Sequence, residues 1–334
     1  MPTPPRRSLH AVNGITLSVL EAGDEGAPLV ILCHGFPELA LSWRHQIAAL
    51  AAAGYRVAAP DMRGYGGSSA PAESEAYSIF HLAGDMVALA GALGAERAAI
   101  IGHDWGAAVA WQAALFRPDL FPAVAALSVP FRARGRAAPL ASLREAGMTR
   151  FYWFHFQAPG LAEAEFGRDP EATFRRLFAT GARISEGAAH AALDIEEGSG
   201  FLDKLPDPGA PPPWLDAETF AAFVTTYRRS GFQGGLNWYR NIDRNWELSA
   251  PWHGAKIRQP ALFIAGDRDA VIAGPMGARA LAAMPEHVPG LTRTLILPGA
   301  GHWVQQERAA EVSTALADFL ARHFPARQML DPRL

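Results

Sequence analysis

The chain is poor in the features that mark several protein classes. Cysteine occurs once, at Cys33, so no internal disulfide can form. Its place in the apolar run Leu29–Cys33 makes it core filler rather than a nucleophile. Excess positive charge is missing: the formal net charge is -3, which offers no basic field to nucleic acid. No apolar run approaches the roughly 20 residues of a membrane span. The segment from Met1 to Ala11 holds prolines and Arg6-Arg7 but no apolar stretch of the secretory kind. These absences predict a cytoplasmic protein with neither nucleic-acid nor membrane partners. Apolar residues, in contrast, make up 49% against 19% charged, a balance that excludes disorder. Over 334 residues it predicts one large domain or a core with an insertion.

Short apolar runs at Leu29–Cys33, 55–59, 98–101 and 123–129 alternate with helical patterns over 41–53, 79–93 and Trp105–Phe116, all between Ile15 and Phe131. The alternation resumes at 260–265, with a helix over 276–284, the run Leu291–Leu297 and a helix over 307–323. Such alternation describes an α/β protein whose mostly parallel sheet is covered by helices on both faces. Between the two blocks, residues 132–254 are rich in aromatics and prolines and read as an inserted helical cap. The core is then formed by 1–131 and 255–334. The proline-rich stretch 206–213 reads as a semi-rigid connector, and the residues from Ala326 onward as a frayed tail.

Gly102-His103-Asp104-Trp105-Gly106 joins an apolar run to a helix in the pattern of a nucleophile elbow, with aspartate as the presented side chain. A carboxylate that attacks a carbonyl gives a reactive anhydride. Displacement at a tetrahedral carbon instead gives an alkyl ester that water can cleave later. The elbow therefore points to carbon–oxygen or carbon–halogen substrates. On these residues alone, a helix N-cap role for Asp104 is an equal alternative.

An ester intermediate needs a base for water, a group to orient that base, and donors for the developing oxyanion. His302 follows the run Leu291–Leu297 in a glycine-flanked loop, and Asp269 follows the run 260–265. The order nucleophile, acid, histidine is that of the α/β-hydrolase fold. Asp269 lies further out on its loop than Asp267, which is expected to brace the turn. Backbone N–H groups of Phe36 and Trp105 are the expected oxyanion donors, and Pro37 shapes a sharp turn beside the first. His34, Cys33 and His103 have no metal-ligand spacing, so neither metal nor cofactor is expected. The glycine-rich segment 61–69 lacks the lysine of a phosphate loop and reads as a turn bracing the site.

His34-Gly35-Phe36-Pro37-Glu38, the 61–68 turn, the elbow and Gly301-His302-Trp303 together resemble the soluble epoxide hydrolases of the α/β-hydrolase superfamily, over nearly the whole chain. Haloalkane dehalogenases share these core motifs. The segments 151–160 and 231–246 are similar to the two cap segments that carry the family's ring-opening tyrosines, which implies Tyr152 and Tyr239. A phenol of ordinary pKa about 10 stays protonated at neutral pH and can donate to the leaving alkoxide. The resemblance implies an α/β-hydrolase fold, an epoxide and water as substrates, and a vicinal diol as product. A homodimer is an admissible assembly. Phe36, Trp105, Trp153, Trp238 and Trp303 are the expected pocket walls, with Phe154, Phe156 and Trp214 as further cap aromatics.

Two rivals remain at this level. A dehalogenase would use the same Asp104, His302 and Asp269, but needs halide-binding N–H donors, and Phe36 has no side-chain donor where that family usually carries asparagine. A non-catalytic ligand-binding protein of the same fold is the other.

Overall fold

The computed structural model of the protein describes residues 5–179 and 193–326. Eight strands form one sheet: β1 (Arg6–Val12), β2 (Ile15–Ala22), β3 (Leu29–Cys33), β4 (Arg56–Pro60), β5 (Ala98–His103), β6 (Ala123–Leu127), β7 (Ala261–Gly266) and β8 (Leu291–Leu297). Their spatial order is β1-β2-β4-β3-β5-β6-β7-β8. All pairs from β4 to β8 are parallel, and β2 joins β1 and β4 antiparallel. The pattern agrees with the expected α/β architecture.

The central strands are buried along their whole length, which explains why they read as unbroken apolar runs instead of alternating ones. Their side chains nevertheless sort by parity into two layers. Ile31, Cys33, Ile100, Val124 and Phe263 pack toward the helices Ile79–Ala92 and Trp105–Phe116. Val30, Leu32, Ile101, Ala125 and Ile264 pack toward the helices Arg44–Ala52 and Ala309–His323.

Seven helices lie between β6 and β7 among the described residues, from Pro139–Glu145 to Ile242–Leu248. Their aromatics Phe166, Phe174, Phe178 and Phe223 are buried and belong to the same apolar cluster as the first sheet layer. Each such phenylalanine contributes about 1.5–3 kcal/mol by leaving water, so apolar contact fastens this helical insertion to the sheet.

Three details differ from the sequence reading. Strand pairing begins at β1, before Ile15, through a hairpin in which Asn13 and Gly14 both take positive φ, 45° and 78°. Asn-Gly is the pair favoured in such two-residue turns, so the signal was present. β6 ends at Leu127 because Ser128 turns into positive φ, 72°. The last helix is two, Val304–Glu307 and Ala309–His323, broken at Arg308. Most of the expected tail, 327–334, lies outside the described residues.

Candidate active site

Asp104 sits between the end of β5 and the helix Trp105–Phe116 with φ 53° and ψ -122°, a conformation that costs an L-residue of order 1–3 kcal/mol. The turn closes because Gly106 has no side chain: a Cβ there would stand 2.1 Å from the Cys33 carbonyl oxygen. Gly35 is constrained in the same way, since its Cβ would meet the Asp104 Cβ and Oδ1 at 2.4 Å. Asp104 occupies the N-cap position but makes no capping hydrogen bond, so the cap alternative does not describe its side chain. Instead its Oδ1 accepts the Phe36 N–H at 2.9 Å, and its Oδ2 lies 3.7 Å from His302 Nε2.

The far nitrogen of His302, Nδ1, lies 3.0 Å from Asp269 Oδ1 and 2.9 Å from Ser128 Oγ. The Ser128 hydroxyl donates to the other Asp269 oxygen, and the Val271 N–H donates to Oδ1 at 2.9 Å. Asp267 is exposed and braces its loop by accepting the Gly299 N–H at 2.7 Å. Beneath the elbow, fully buried His103 donates from Nδ1 to Glu38 at 2.6 Å and from Nε2 to the His302 carbonyl at 2.8 Å. Glu38 also accepts from Gln305 at 2.8 Å and from the Gly35 N–H at 3.1 Å. One buried carboxylate thus ties together the loop after β3, the elbow and the histidine loop. The 61–69 turn is held by Asp61, which accepts the N–H groups of Ala40 and Gly67.

Burial raises the Asp104 carboxyl above its ordinary pKa, against the opposing pull of His302, His103 and the Phe36 N–H. Burial also disfavours charge on Asp269, but His302, the Ser128 hydroxyl and the Val271 N–H outweigh it and hold that carboxyl low. For His302, burial is overcome by the carboxylates of Asp269, Asp104 and Glu38, which push it up to about 9. These shifts favour the protonated form of His302 beside Asp104.

Tyr152 and Tyr239 line a cavity over Asp104, with ring centroids 5.8 Å apart. Burial pushes both phenols well up, and the nearby Asp104 charge adds to this, so both remain protonated donors. Asp104, Asp269, His302, Phe36 and Trp303 line the same cavity. Trp105 and Trp153 line a second one, which shares Asp104, Tyr152, Tyr239 and Val271 with the first. Trp238 lines neither: it is fully buried, and its Nε1 donates to the Arg63 carbonyl at 3.1 Å. Phe156 is a wall of the first cavity, whereas Trp214 packs against Phe178 and Phe154 lies under the Arg144 guanidinium.

A family description of the α/β hydrolase fold matches residues 28–309. Epoxide hydrolase A of Mycobacterium tuberculosis is 49% identical over 318 residues, covering 95% of this chain and 97% of that protein. An epoxide hydrolase of Caballeronia sordidicola is 43% identical, with 93% and 92% covered. The crystal structure of epoxide hydrolase A from Mycobacterium thermoresistibile superposes with a TM-score of 0.89 at 50% identity, covering 95% of this chain and 98% of that one. The chain belongs to the epoxide hydrolase family of the α/β-hydrolase superfamily.

For this member of the epoxide hydrolase family, sequence reasoning missed Ser128, Glu38 and His103 as parts of the site. Ser128 was read as the interior of an apolar strand, although a hydroxyl followed by Val129-Pro130 signals a strand end. Glu38 lies four residues from His34 in a motif already singled out, yet nothing in one sequence places it under the elbow. Among the described residues no group of three or more His, Cys, Asp or Glu is arranged to hold a metal ion. No described helix is long and apolar enough to cross a membrane.

Proposed function

We propose that the protein hydrolyses epoxides to vicinal diols through a covalent hydroxyalkyl ester on Asp104. The observation that carries this reading is the division of labour on one carboxylate: Oδ1 is held by the Phe36 N–H while Oδ2 is left toward His302 and the cavity. In the first step Oδ2 attacks an epoxide carbon, the carbon–oxygen bond breaks, and the alkoxide takes a proton from the Tyr152–Tyr239 pair. Esterification removes the Asp104 charge, one of the causes of the raised His302 pKa. The imidazolium then gives up its proton, which balances the phenol's loss. In the second step neutral His302, oriented by Asp269, takes a proton from water. The resulting hydroxide attacks Cγ, and Oδ1 becomes the oxyanion held by the Phe36 and Trp105 N–H groups. Collapse expels the diol and regenerates the carboxylate.

On this reading residues 1–131 and 255–334 form the catalytic core, and 132–254 form the cap that supplies the tyrosines and excludes water. A single turnover in ¹⁸O-water tests the route. The first diol released is expected to be unlabelled, with ¹⁸O entering the Asp104 carboxylate; label in the first diol overturns it.

A further inference from the structure

Four backbone polar atoms of the segment 300–303, the loop that carries His302, are each met by a partner from outside that segment. The Ala300 carbonyl accepts the Arg268 N–H at 2.9 Å, which joins this loop to that of Asp269. The His302 carbonyl accepts from His103 at 2.8 Å. The other two go to one side chain: Glu307 accepts the Gly301 N–H at 2.7 Å on Oε2 and the Trp303 N–H at 3.0 Å on Oε1. A single carboxylate therefore grips the backbone immediately before and immediately after the histidine. The adjacent Arg308 is engaged elsewhere, with Glu311 and the Pro298 carbonyl, which leaves both Glu307 oxygens to the loop. The end of β7 packs against the same segment so closely that a Cβ on Gly266 would stand 2.2 Å from the Ala300 oxygen and 2.5 Å from that of Gly301.

The bond to Trp303 alone would be a cap for the short helix Val304–Glu307, whose N-cap residue is Trp303. The bond to Gly301 lies two residues before that cap, outside the helix. Its effect falls on His302, whose imidazole must reach in two directions: Nδ1 stands 3.0 Å from Asp269 and Nε2 3.7 Å from Asp104. Both reaches depend on where the loop holds the His302 backbone, and a misplacement of about 1 Å can cost about 10²-fold in rate. We propose that Glu307 is a positioning residue for His302, whose grip on both sides of the histidine holds the imidazole where it can take a proton from the water that cleaves the ester. This rests on the two-step route through Asp104 proposed above. Alkylation draws on the Asp104 carboxylate and the phenols and uses only the charge of His302, which a small shift of the ring leaves in place.

The test follows a single turnover of the full chain, in saturating excess over styrene oxide as probe, quenched at successive times and weighed as intact protein. The rise of the ester adduct gives the alkylation rate, and its decay gives the hydrolysis rate. At saturating enzyme both rates belong to the folded molecules alone, so partial unfolding of a variant does not mimic the effect. Glu307→Gln turns one acceptor into a donor that faces an N–H, and Glu307→Ala removes both acceptors. Hydrolysis is expected to slow about tenfold in the first and about 10²-fold in the second, with alkylation changed by less than about threefold, so that adduct accumulates. Glu307→Asp, which keeps the carboxylate on a shorter stem, is expected to regain part of the hydrolysis rate that Glu307→Ala loses. Hydrolysis at the wild-type rate in Glu307→Ala, or alkylation and hydrolysis slowed equally, overturns the proposal. Diol formed with no adduct at any time, in wild type and in every variant, would be a failure of the ester route itself and is distinguishable from these outcomes.

Discussion

On the sheet side of the first cavity, the carboxylates have fixed partners. Asp269 is held by His302, Ser128 and the Val271 N–H, Asp104 by the Phe36 N–H, and Glu38 by His103, Gly35 and Gln305. On the helical-insertion side, Tyr152 and Tyr239 are surrounded by rings: Phe156 lies 5.3 and 5.0 Å away, and Phe36 and Trp105 stand edge-on to Tyr239. The difference teaches where charge can be kept in a buried site. Strand ends and the helix start expose unpaired backbone N–H groups, which stabilise carboxylates. A wall of packed aromatics has none to give, so it holds neutral donors and uses desolvation to keep them neutral.

This contrast predicts unequal consequences of substitution. Asp104→Asn should lower diol formation by roughly 10⁴-fold or more, because the reading gives the sheet side no second nucleophile; initial-rate assays with the circular dichroism spectrum as a folding control would check it. On the proposed mechanism the two phenols of the other wall share one task. Tyr152→Phe and Tyr239→Phe are each expected to cost about 10–100-fold in the alkylation rate, and the double variant about 10²–10⁴-fold, as measured by rapid mixing. If one single variant loses as much as the double, the tyrosines are not interchangeable donors. Acidity sharpens the comparison further. Alkylation needs Asp104 ionised and benefits from a protonated His302, whose pKa is raised to about 9. The single-turnover alkylation rate should therefore fall by about tenfold per unit as pH climbs past 9 if the proton is required. Rates that hold to well above that pH would remove His302 from the first step.

The smallest expected effects concern stability. Phe263→Ala, in the fully buried β7, should cost about 3–5 kcal/mol in chemical denaturation. Phe201→Ala, on a partly exposed cavity wall, should cost less than about half of that. Glu21 and Glu38 add a pH window. Burial opposes both charges, but Ser8, His10 and Arg56 around Glu21 and His103 beside Glu38 outweigh it, and each folded pKa falls to about 2 from 4.5. Their contribution is present above the unfolded value and is lost as pH drops from about 4.5 toward 2.

Much of this was legible in the sequence, for identifiable reasons. Strands buried on both faces appear as apolar runs, which marked the strands before the elbow and Asp269; His302 follows β8, a largely exposed edge strand, and stood out by its glycine-flanked loop, so the order of the three along the chain implied a shared sheet edge. The tyrosines were legible only through family resemblance, because a phenol in an aromatic helix gives no local sign of the cavity it faces. Trp238 misled for the same reason: it neighbours Tyr239 in sequence but points into the packed interior, where Tyr65 stands edge-on to its ring. Glu38 and Ser128 act through contacts between residues far apart in the chain, 65 positions for Glu38 with His103 and 141 for Ser128 with Asp269. Composition and periodicity carry no such information.

Gly35 has a practical meaning for anyone diversifying this enzyme. Its missing side chain is the clearance through which the loop after β3 touches Asp104. A saturation library at that position should return glycine almost alone, while a library at Phe201, a partly exposed cavity wall, should return many tolerated residues with altered substrate scope. Position 35 thus serves as an internal control: a selection that enriches anything else there is reporting on something other than catalysis.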